Sequence, residues 1–214
     1  MDSLYSTPPS VPERLFKVII IGDPTVGKTS FVQKYTQNAF RKDYKGTVGV
    51  DFALKVVKWS DTEVIKVQLW DIAGQERFTW MTRVYYKDSH GCVIMFDLNN
   101  KNSFINALKW KRDVDAKCRL PDGSSIPCLL LANKCDVPHR QIERGEIEEF
   151  FRENNFVGWT ETSVKEGVMI DSSMNFLVEV MMKRCGFIDS PYDSDSLKLS
   201  GPDPYEKSQS SCFC

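Results

Sequence analysis

Residues 22–29 read Gly-Asp-Pro-Thr-Val-Gly-Lys-Thr, and this stretch decides the fold. An apolar run over residues 18–21 comes before it, and the residues from Ser30 to Gln37 predict a helix after it. A strand, a glycine-bounded loop and a helix in this order are the setting in which G-x-x-x-x-G-K-[ST] forms a phosphate-binding loop. Such a loop turns its backbone N–H groups inward, and the helix adds the positive end of its dipole. Taken alone, the pattern also fits an ordinary turn with a chance lysine.

The side chains of this loop point to a nucleotide and its metal ion. Lys28 can reach the β- and γ-phosphates, and the Thr29 hydroxyl can ligate Mg²⁺. We assign to nucleotide binding the residues Thr25, Val26, Gly27, Lys28, Thr29 and Ser30.

The composition indicates which classes of protein and partner to expect. The 214 residues suffice for one α/β domain with tails, and 42% apolar with 27% charged residues is ordinary for a soluble globular protein. A net charge of −1 gives no reason to expect nucleic acid as a partner. No apolar run approaches the roughly 18 residues of a membrane-spanning helix, so membrane attachment would be covalent or through a partner. The seven cysteines, with no signal peptide before them, indicate reduced thiols in the cytosol.

Hydrophobic periodicity predicts an α/β fold with a six-stranded mixed sheet. The strands expected over 48–59 and 63–71 are joined by a short turn, so they must be antiparallel. The other strands alternate with helices and should be parallel. These strands are expected over 15–21, 92–96, 128–132 and 157–160, and the later helices over 103–118, 142–153 and 171–184.

Three segments organise the chain. Residues 1–14, with several prolines and serines, predict a flexible lead, and residues 15–185 predict the domain itself. Residues 186–214 lose apolar periodicity and predict a disordered tail. Within the domain, Ser103 is the expected N-cap of a helix that turns Phe104, Leu108 and Trp110 inward.

A second motif, D-x-x-G-Q, is formed by Asp71, Gly74 and Gln75 at the end of a predicted strand. Ligands of open α/β sheets bind at the carboxyl ends of the strands. Asp71 can hold Mg²⁺, and the Gly74 N–H can approach the γ-phosphate because no side chain blocks it. Gln75 is the candidate catalytic residue, since it can orient a water for in-line attack. By itself, D-x-x-G also fits a plain turn.

A third motif, N-K-x-D, is formed by Asn133, Lys134 and Asp136 directly after the strand over 128–132. The Asp136 carboxylate can accept hydrogen bonds from N1–H and the exocyclic amine of guanine. Adenine cannot supply that pair, so such a site rejects it. Asn133 can tie this loop to the phosphate loop, and the Lys134 stem can cover the base. The alternative is a solvated polar loop.

Two weaker features complete the candidate site. Thr162-Ser163-Val164-Lys165 can brace the base through the Val164 backbone and the Lys165 stem, with Ser163 also assigned to nucleotide binding. Thr47 lies in a polar loop from which its hydroxyl and carbonyl can sense Mg²⁺ and the γ-phosphate. Order, spacing and placement at strand ends argue against a chance co-occurrence of all these motifs. The candidate metal ligands are Thr29, Thr47 and Asp71.

With these motifs the chain resembles a Rab small GTPase of the Ras superfamily, from Leu15 to Arg184 and again at the final residues. Ile72 stands where most Rabs carry threonine and marks the subgroup that serves lysosome-related organelles. The stretches most similar to that subgroup are 48–55, 70–78 and 131–136. The resemblance implies a P-loop NTPase fold with a Ras-like sheet flanked by helices.

The resemblance implies a GTP-hydrolysing switch. Residues 38–48 and 72–85 correspond to its two switch segments, ordered by Thr47 and Gly74 around the γ-phosphate and loosened after hydrolysis. Phe40 corresponds to the aromatic residue that packs on guanine. The positions through which Rabs display their nucleotide state to effectors correspond to Phe52, Trp70 and Tyr85. For Tyr85, ordinary apolar packing is a serious alternative.

Hydrolysis is expected to be slow without an activating protein. Gα proteins carry a catalytic arginine where this chain has Tyr44, so a partner must bring the positive charge. Pro24 and Thr25 stand where Ras has two glycines, and Pro24 lies near the place that Gln75 and an incoming arginine must share. The alternative is a GTP-binding recruiter of effectors whose hydrolysis is nearly lost. A nucleotide kinase, the third interpretation, would leave the N-K-x-D motif without a use.

The resemblance also implies membrane attachment and regulation by partners. The terminal C-x-C, Cys212 and Cys214, implies geranylgeranylation of both thiols. Expected partners are a guanine nucleotide exchange factor, a GTPase-activating protein, a GDP-dissociation inhibitor, an escort protein and effectors. The expected location is the cytoplasmic face of late endosomes, lysosomes or lysosome-related organelles, with a soluble cytosolic pool when GDP is bound. Thr79, in the second switch segment, is a possible phosphorylation site.

Overall fold

The computed structural model describes residues 13–40, 46–75 and 82–187. The strands within them are β1 Glu13–Gly22, β2 Val50–Lys58, β3 Val64–Ile72, β4 Gly91–Asp97, β5 Cys128–Asn133 and β6 Gly158–Thr162. The helices are α1 Lys28–Gln37, α2 Thr82–Tyr86, α3 Lys101–Lys117, α4 Arg144–Glu153 and α5 Ile170–Arg184. No periodic pattern in the sequence predicts the five-residue α2.

The strands form one mixed sheet in the order β2-β3-β1-β4-β5-β6. β2 pairs antiparallel with β3, and every other neighbouring pair is parallel. This confirms the predicted six-stranded sheet with one antiparallel pair. The inner strands β4 and β5 are buried at every residue, as expected for parallel strands covered on both faces.

Alternate residues of β1 face opposite sides of the sheet. Val18 and Ile20 belong to one hydrophobic cluster, with α1 and α5 residues such as Phe31. Ile19 and Ile21 belong to a second cluster, with α3 residues such as Trp110. The two-residue period of a strand therefore builds two cores, one on each face. The carboxyl ends of the parallel strands are left for the loops that carry the sequence motifs.

The start of α3 differs from the prediction. Asn100, not Ser103, is the N-cap: its side chain accepts hydrogen bonds from the backbone N–H groups of Asn102 at 3.1 Å and Ser103 at 3.3 Å. Ser103 lies in the first turn, where its hydroxyl accepts the Asp97 N–H at 3.0 Å. On the inner face, Phe104 and Trp110 are buried as predicted, whereas Leu108 is half-buried.

Replacing this cap should measurably destabilise the fold. We expect Asn100→Ala to lower the free energy of unfolding by about 1 kcal/mol, because two backbone N–H groups lose their acceptor. Urea unfolding followed by circular dichroism measures the change. Asn102→Ala, at an exposed position of the same first turn, is the matched control and should change stability by less than about 0.5 kcal/mol. Equal losses in the two variants would contradict the assignment of the cap.

Regular structure extends past the domain boundaries expected from the sequence at both ends. β1 begins at Glu13, two residues before the predicted strand. After α5, the Gly186 N–H donates to the Lys183 carbonyl and the Phe187 N–H to the Met182 carbonyl, each at 3.0 Å. With Gly186 at φ 69°, this is a Schellman motif. Gly186 and Phe187, expected in the tail, therefore end the last helix.

Phe187 also packs against the first strand. Its ring lies 3.6 Å from the Arg14 guanidinium carbon, and its centroid lies 6.5 Å from that of Phe16. Arg14 is held in turn by an ion pair with Glu63. The end of α5 is thus fixed at the start of β1, the end of the sheet away from the phosphate loop.

Two further expectations concern thiols and membranes. The five cysteines in the described ranges are free thiols. Across the same ranges, none of the helices has the length and apolar character needed to cross a bilayer.

Candidate functional site

A cavity of about 720 Å³ lies at the carboxyl ends of the parallel strands. It is bounded by the phosphate loop, the start of α1, the loop around Thr47, the D-x-x-G segment and the loops after β5 and β6. Its described lining residues are Pro24, Thr25, Gly27, Lys28, Thr29, Ser30, Gln33, Phe40, Gly46, Thr47, Val48, Gly74, Gln75, Asn133, Lys134, Asp136, Val137, Val164 and Lys165.

The phosphate loop depends on the absence of a side chain at Gly27. This residue is the N-cap of α1, at φ 103°, where L-residues with a side chain are strained. A Cβ there would lie 2.4 Å from the Asn133 amide nitrogen. The glycine therefore allows the tight turn and the close approach of the N-K-x-D loop.

Lys28 is held at the bottom of the cavity. Its side chain is buried, and its Nζ donates to the carbonyl oxygens of Gly22 at 3.0 Å and Asp23 at 2.9 Å. Burial lowers the pKa of Lys28 to about 8, and the charges of Asp71 and Asp23 partly oppose that shift. An anion placed in the cavity would favour the charged ammonium, as bound phosphates do.

The three predicted metal ligands come together on one side of the cavity. The Thr29 and Thr47 hydroxyls lie 2.7 Å apart, and Thr29 Oγ1 donates to Asp71 Oδ2 at 2.5 Å. Asp71 Oδ1 is buried, and it has no hydrogen-bond partner among residues 13–40, 46–75 and 82–187. Burial raises the pKa of the Asp71 carboxyl, while the Thr29 hydrogen bond and the Lys28 charge oppose the shift.

These residues fit a magnesium ion. Hydroxyl and carboxylate oxygens are the ligands that Mg²⁺ prefers, with waters and phosphate oxygens completing its octahedron. A buried carboxylate oxygen without a partner is costly, and a cation or its bound water would satisfy Asp71 Oδ1. Thr29, Thr47 and Asp71 are therefore the residues that would hold the ion.

Gly74 lies directly against the phosphate loop. A Cβ at this position would meet the Pro24 backbone nitrogen at 2.3 Å and Pro24 Cδ at 2.7 Å. The D-x-x-G segment therefore touches the loop at the residue that replaces a glycine of Ras. Gln75 follows on the cavity wall with an exposed side chain.

Asn133 joins the loops at the base end of the cavity. Its Nδ2 donates to the Val26 carbonyl at 2.8 Å, which is the link to the phosphate loop expected from the sequence. Its Oδ1 accepts from the Thr162 hydroxyl at 3.2 Å and from the Val164 N–H at 3.4 Å. Because Asn133 is buried, these three contacts fix three loops to one another.

Asp136 is oriented by the loop after β6. The Ser163 hydroxyl donates to Asp136 Oδ1 at 2.6 Å, and Lys165 Nζ lies 3.8 Å from Oδ2. Lys134 is turned the other way, with its Nζ 2.7 Å from Asp97 Oδ2. The carboxylate is thus positioned to accept hydrogen bonds, and the two lysine stems border the space for a flat base.

The structure brings nearly all of the assigned nucleotide-binding residues to the cavity wall. Val26 and Ser163 lie behind it, the first through its carbonyl on Asn133 and the second through its hydroxyl on Asp136. The site assignments from the sequence omit Pro24, Gln33, Gly46, Val48 and Val137, which line the cavity. The sequence could have identified them, because each is adjacent to an assigned residue or follows one by a helical turn.

The three aromatic residues assigned to effectors differ in exposure. Phe52 is 54% exposed, and its ring meets the half-buried Trp70 edge-on at a centroid distance of 4.4 Å. Tyr85 is only 9% exposed and packs in the second core. Its ring is therefore not displayed at the surface, because α2 turns it inward, and the apolar packing role describes it better here.

Several assignments lie outside the described residues. They are Tyr44, the possible phosphorylation site Thr79 and the lipidation sites Cys212 and Cys214.

Comparison with known proteins identifies the family. Residues 17–183 match the Ras family model. Human Ras-related protein Rab-7L1 is 58% identical over 189 residues, which cover 88% of this chain and 91% of the relative. Mouse Ras-related protein Rab-32 is 45% identical over 206 residues, covering 95% and 92%. Ras-related protein Rab-32A of Dictyostelium discoideum is 44% identical over 174 residues, covering 80% of each.

These matches agree with the geometry of the site. They span the phosphate loop, the metal ligands and the N-K-x-D loop, and they confirm the resemblance to the Rab subgroup that serves lysosome-related organelles. The chain belongs to the Ras family and, within it, to the Rab small GTPases.

Proposed function

We propose that this Rab hydrolyses GTP slowly by itself and relies on an activating protein for a catalytic positive charge. Members of the family are GTP hydrolases that bind GTP, GDP and Mg²⁺ and act as switches in membrane traffic through exchange factors, activating proteins and effectors. The proposal concerns the rate of GTP hydrolysis and the positive charge that limits it.

The charges that face the cavity carry this proposal. The cations among the described lining residues are Lys28, Lys134 and Lys165, and no arginine is among them. Lys134 is paired with Asp97, and Lys165 lies 2.8 Å from Glu166 at the base end. Of the cations in the described part of the cavity wall, Lys28 is the one at the phosphate end. One lysine neutralises only part of the negative charge that the phosphates carry in the transition state. An arginine from a partner supplies the missing positive charge.

A second candidate follows from the contact between Pro24 and Gly74. Proline fixes φ and has no backbone N–H, and Pro24 occupies the space beside the D-x-x-G segment. If no room is left there for Gln75 and an incoming arginine, hydrolysis would be nearly lost. The protein would then act as a GTP-bound recruiter of effectors.

Single-turnover GTP hydrolysis separates the two candidates. Protein loaded with radiolabelled GTP and Mg²⁺ is followed alone and with cell extract as a source of activating protein. The switch predicts slow release of phosphate that the extract accelerates at least tenfold. The recruiter is favoured if the extract does not accelerate hydrolysis by the original protein but does accelerate hydrolysis by Pro24→Gly. Gln75→Leu, which removes the water-orienting amide, is the control that should abolish hydrolysis in both arms.

We also propose that Cys212 and Cys214 are both geranylgeranylated. Within residues 186–214, two lysines stand against five carboxylates, so the segment gives no electrostatic help on an anionic membrane. One lipid chain binds only marginally, and stable anchoring takes two signals. Cys212→Ser should therefore move most of the protein to the soluble fraction of fractionated cells, as measured by immunoblot. Full membrane retention would contradict a need for two lipids.

The family relation supports association with intracellular membranes. We propose the cytoplasmic face of late endosomes, lysosomes or lysosome-related organelles, with an escort protein and a GDP-dissociation inhibitor maintaining a cytosolic GDP-bound pool. Phe52 and Trp70 are proposed to face effectors. Phosphorylation of Thr79 would add negative charge close by in sequence, and unchanged effector binding by the phosphorylated form would contradict that role.

A further inference from the structure

Helix α3 holds the phosphate loop from behind through one carboxylate. Asn106 Nδ2 donates to Asp23 Oδ2 at 2.6 Å, and Trp110 Nε1 donates to Asp23 Oδ1 at 2.9 Å. The two donors are four residues apart and therefore share a face of the helix. Both oxygens of the carboxylate are thus engaged by donors from one rigid element. Hydrogen bonds to an ionised acceptor are about twice as strong as neutral ones.

The Trp110 donor makes this contact costly to lose. Its side chain is 0% exposed, so its indole N–H cannot turn to bulk water when Asp23 moves. A buried donor that loses its acceptor carries its full desolvation cost. Asn106 is only half-buried, so it can be substituted without opening the core.

The backbone of Asp23 leads from α3 to the ligand side of the loop. Its carbonyl oxygen accepts the Lys28 ammonium at 2.9 Å. The next residue, Pro24, lines the cavity and touches Gly74. Asp23 therefore connects α3 to Lys28, the lysine assigned to the phosphates. Through Pro24, it also connects α3 to the place where the phosphate loop touches the D-x-x-G segment.

We propose that Asn106 and Trp110 are positioning residues that act through Asp23 to hold Lys28 and Pro24 in place for the nucleotide phosphates. Neither residue lines the described cavity, so their effect passes through the loop. Releasing the carboxylate lets the loop relax, which speeds nucleotide dissociation and slows hydrolysis. The effect on hydrolysis rests on the proposed function, whereas the effect on nucleotide retention does not.

An exchange of side chains tests this proposal. In Asn106→Asp, a second carboxylate replaces the amide that donates to Asp23, so two like charges meet. In Asp23→Asn, the Asn106 amide can turn over and accept from the new amide, so a hydrogen bond persists. In the double variant, the amide at position 23 donates to the carboxylate at position 106 and still accepts from Trp110.

The measurements are dissociation of the fluorescent analogue mant-GDP and single-turnover GTP hydrolysis on the full chain with Mg²⁺. We expect Asn106→Asp to speed mant-GDP dissociation and slow hydrolysis, each by about tenfold, the usual size of coupling between contacting residues. Asp23→Asn alone exchanges charge-assisted hydrogen bonds for neutral ones and should speed mant-GDP dissociation by less than Asn106→Asp does. The double variant should return to within about threefold of the original protein. Rescue by the second substitution would show that Asn106 acts through its contact with Asp23.

Asn102→Asp is the matched control, because it makes the same exchange at an exposed position of α3. The proposal would be overturned if mant-GDP dissociated from Asn106→Asp no faster than from this control. It would also be overturned if mant-GDP dissociated from the double variant as fast as from Asn106→Asp alone. If Asn106→Asp does not fold, as judged by its melting temperature, Asn106→Ala replaces it with an expected change of about threefold. If the original protein shows no hydrolysis, the proposed slow switch fails, and mant-GDP dissociation still decides the role of α3.

Discussion

Asp136→Ala is expected to lower the affinity for GTP and GDP by at least about a hundredfold. Two hydrogen bonds from guanine to a charged acceptor are lost, each contributing about 1.5–3 kcal/mol. The donors on the base would face a wall with no acceptor, while the Ser163 hydroxyl would lose its 2.6 Å partner. Displacement of mant-GDP by unlabelled nucleotides measures the change.

Specificity is the sharper readout of the same variant. The affinity for ATP should change by less than about threefold, because adenine makes no such pair with the carboxylate. Asp122→Ala, at an exposed loop aspartate outside the cavity, is the control and should leave both affinities unchanged. An equal loss for GTP and ATP would show that Asp136 supports the fold of the site and does not read the base.

Gly74→Ala is expected to slow GTP hydrolysis by at least about tenfold while changing GDP affinity by less than about threefold. Its Cβ would lie 2.3 Å from the Pro24 nitrogen, which is backbone and cannot swing aside. Overpacking of this kind costs about 1–3 kcal/mol unless the segments separate. Separation moves the Gly74 N–H and Gln75 away from the γ-phosphate position, whereas the contacts to the base and the other phosphates remain.

Single-turnover hydrolysis and mant-GDP titration on the same preparation measure both quantities. Gly145→Ala makes the same exchange in α4, where the added carbon meets no described atom within 4 Å apart from its chain neighbours and the backbone of its own helix. It should change neither quantity. Unaltered hydrolysis in Gly74→Ala would mean that the D-x-x-G segment works at a distance from Pro24, against the observed contact.

Motifs that combine local sequence with specific chemistry predicted most of the site. The N-K-x-D motif predicts that Asn133 links the base loop with the phosphate loop, and its Nδ2 donates to the Val26 carbonyl. The motifs predict that Thr29, Thr47 and Asp71 hold one ion, and their side-chain oxygens lie within hydrogen-bond distance of one another. Strand-end placement makes such meetings predictable, since parallel strands bring their carboxyl ends to one edge.

What could not be predicted depends on choices between neighbouring residues or on distant partners. Asn100 and Ser103 are both good N-caps, and only the backbone path after β4 selects Asn100. The inward turn of Tyr85 follows from the short α2, which has too few residues for a periodic signal. Asp23 accepts a hydrogen bond from Trp110, which lies 87 positions away in the sequence, and no local pattern around either residue predicts this contact.

The contact of Phe187 with Arg14 has a mechanical consequence for the protein on a membrane. Arg14 stands at one pole of β1 and the phosphate loop at the other, roughly 25 Å along the strand. The chain that follows Phe187 starts from the pole remote from the nucleotide site. If Cys212 and Cys214 carry the proposed lipids, tension from the membrane would load the end of α5 and the start of β1. The loops that open and close around the phosphates would be spared that load.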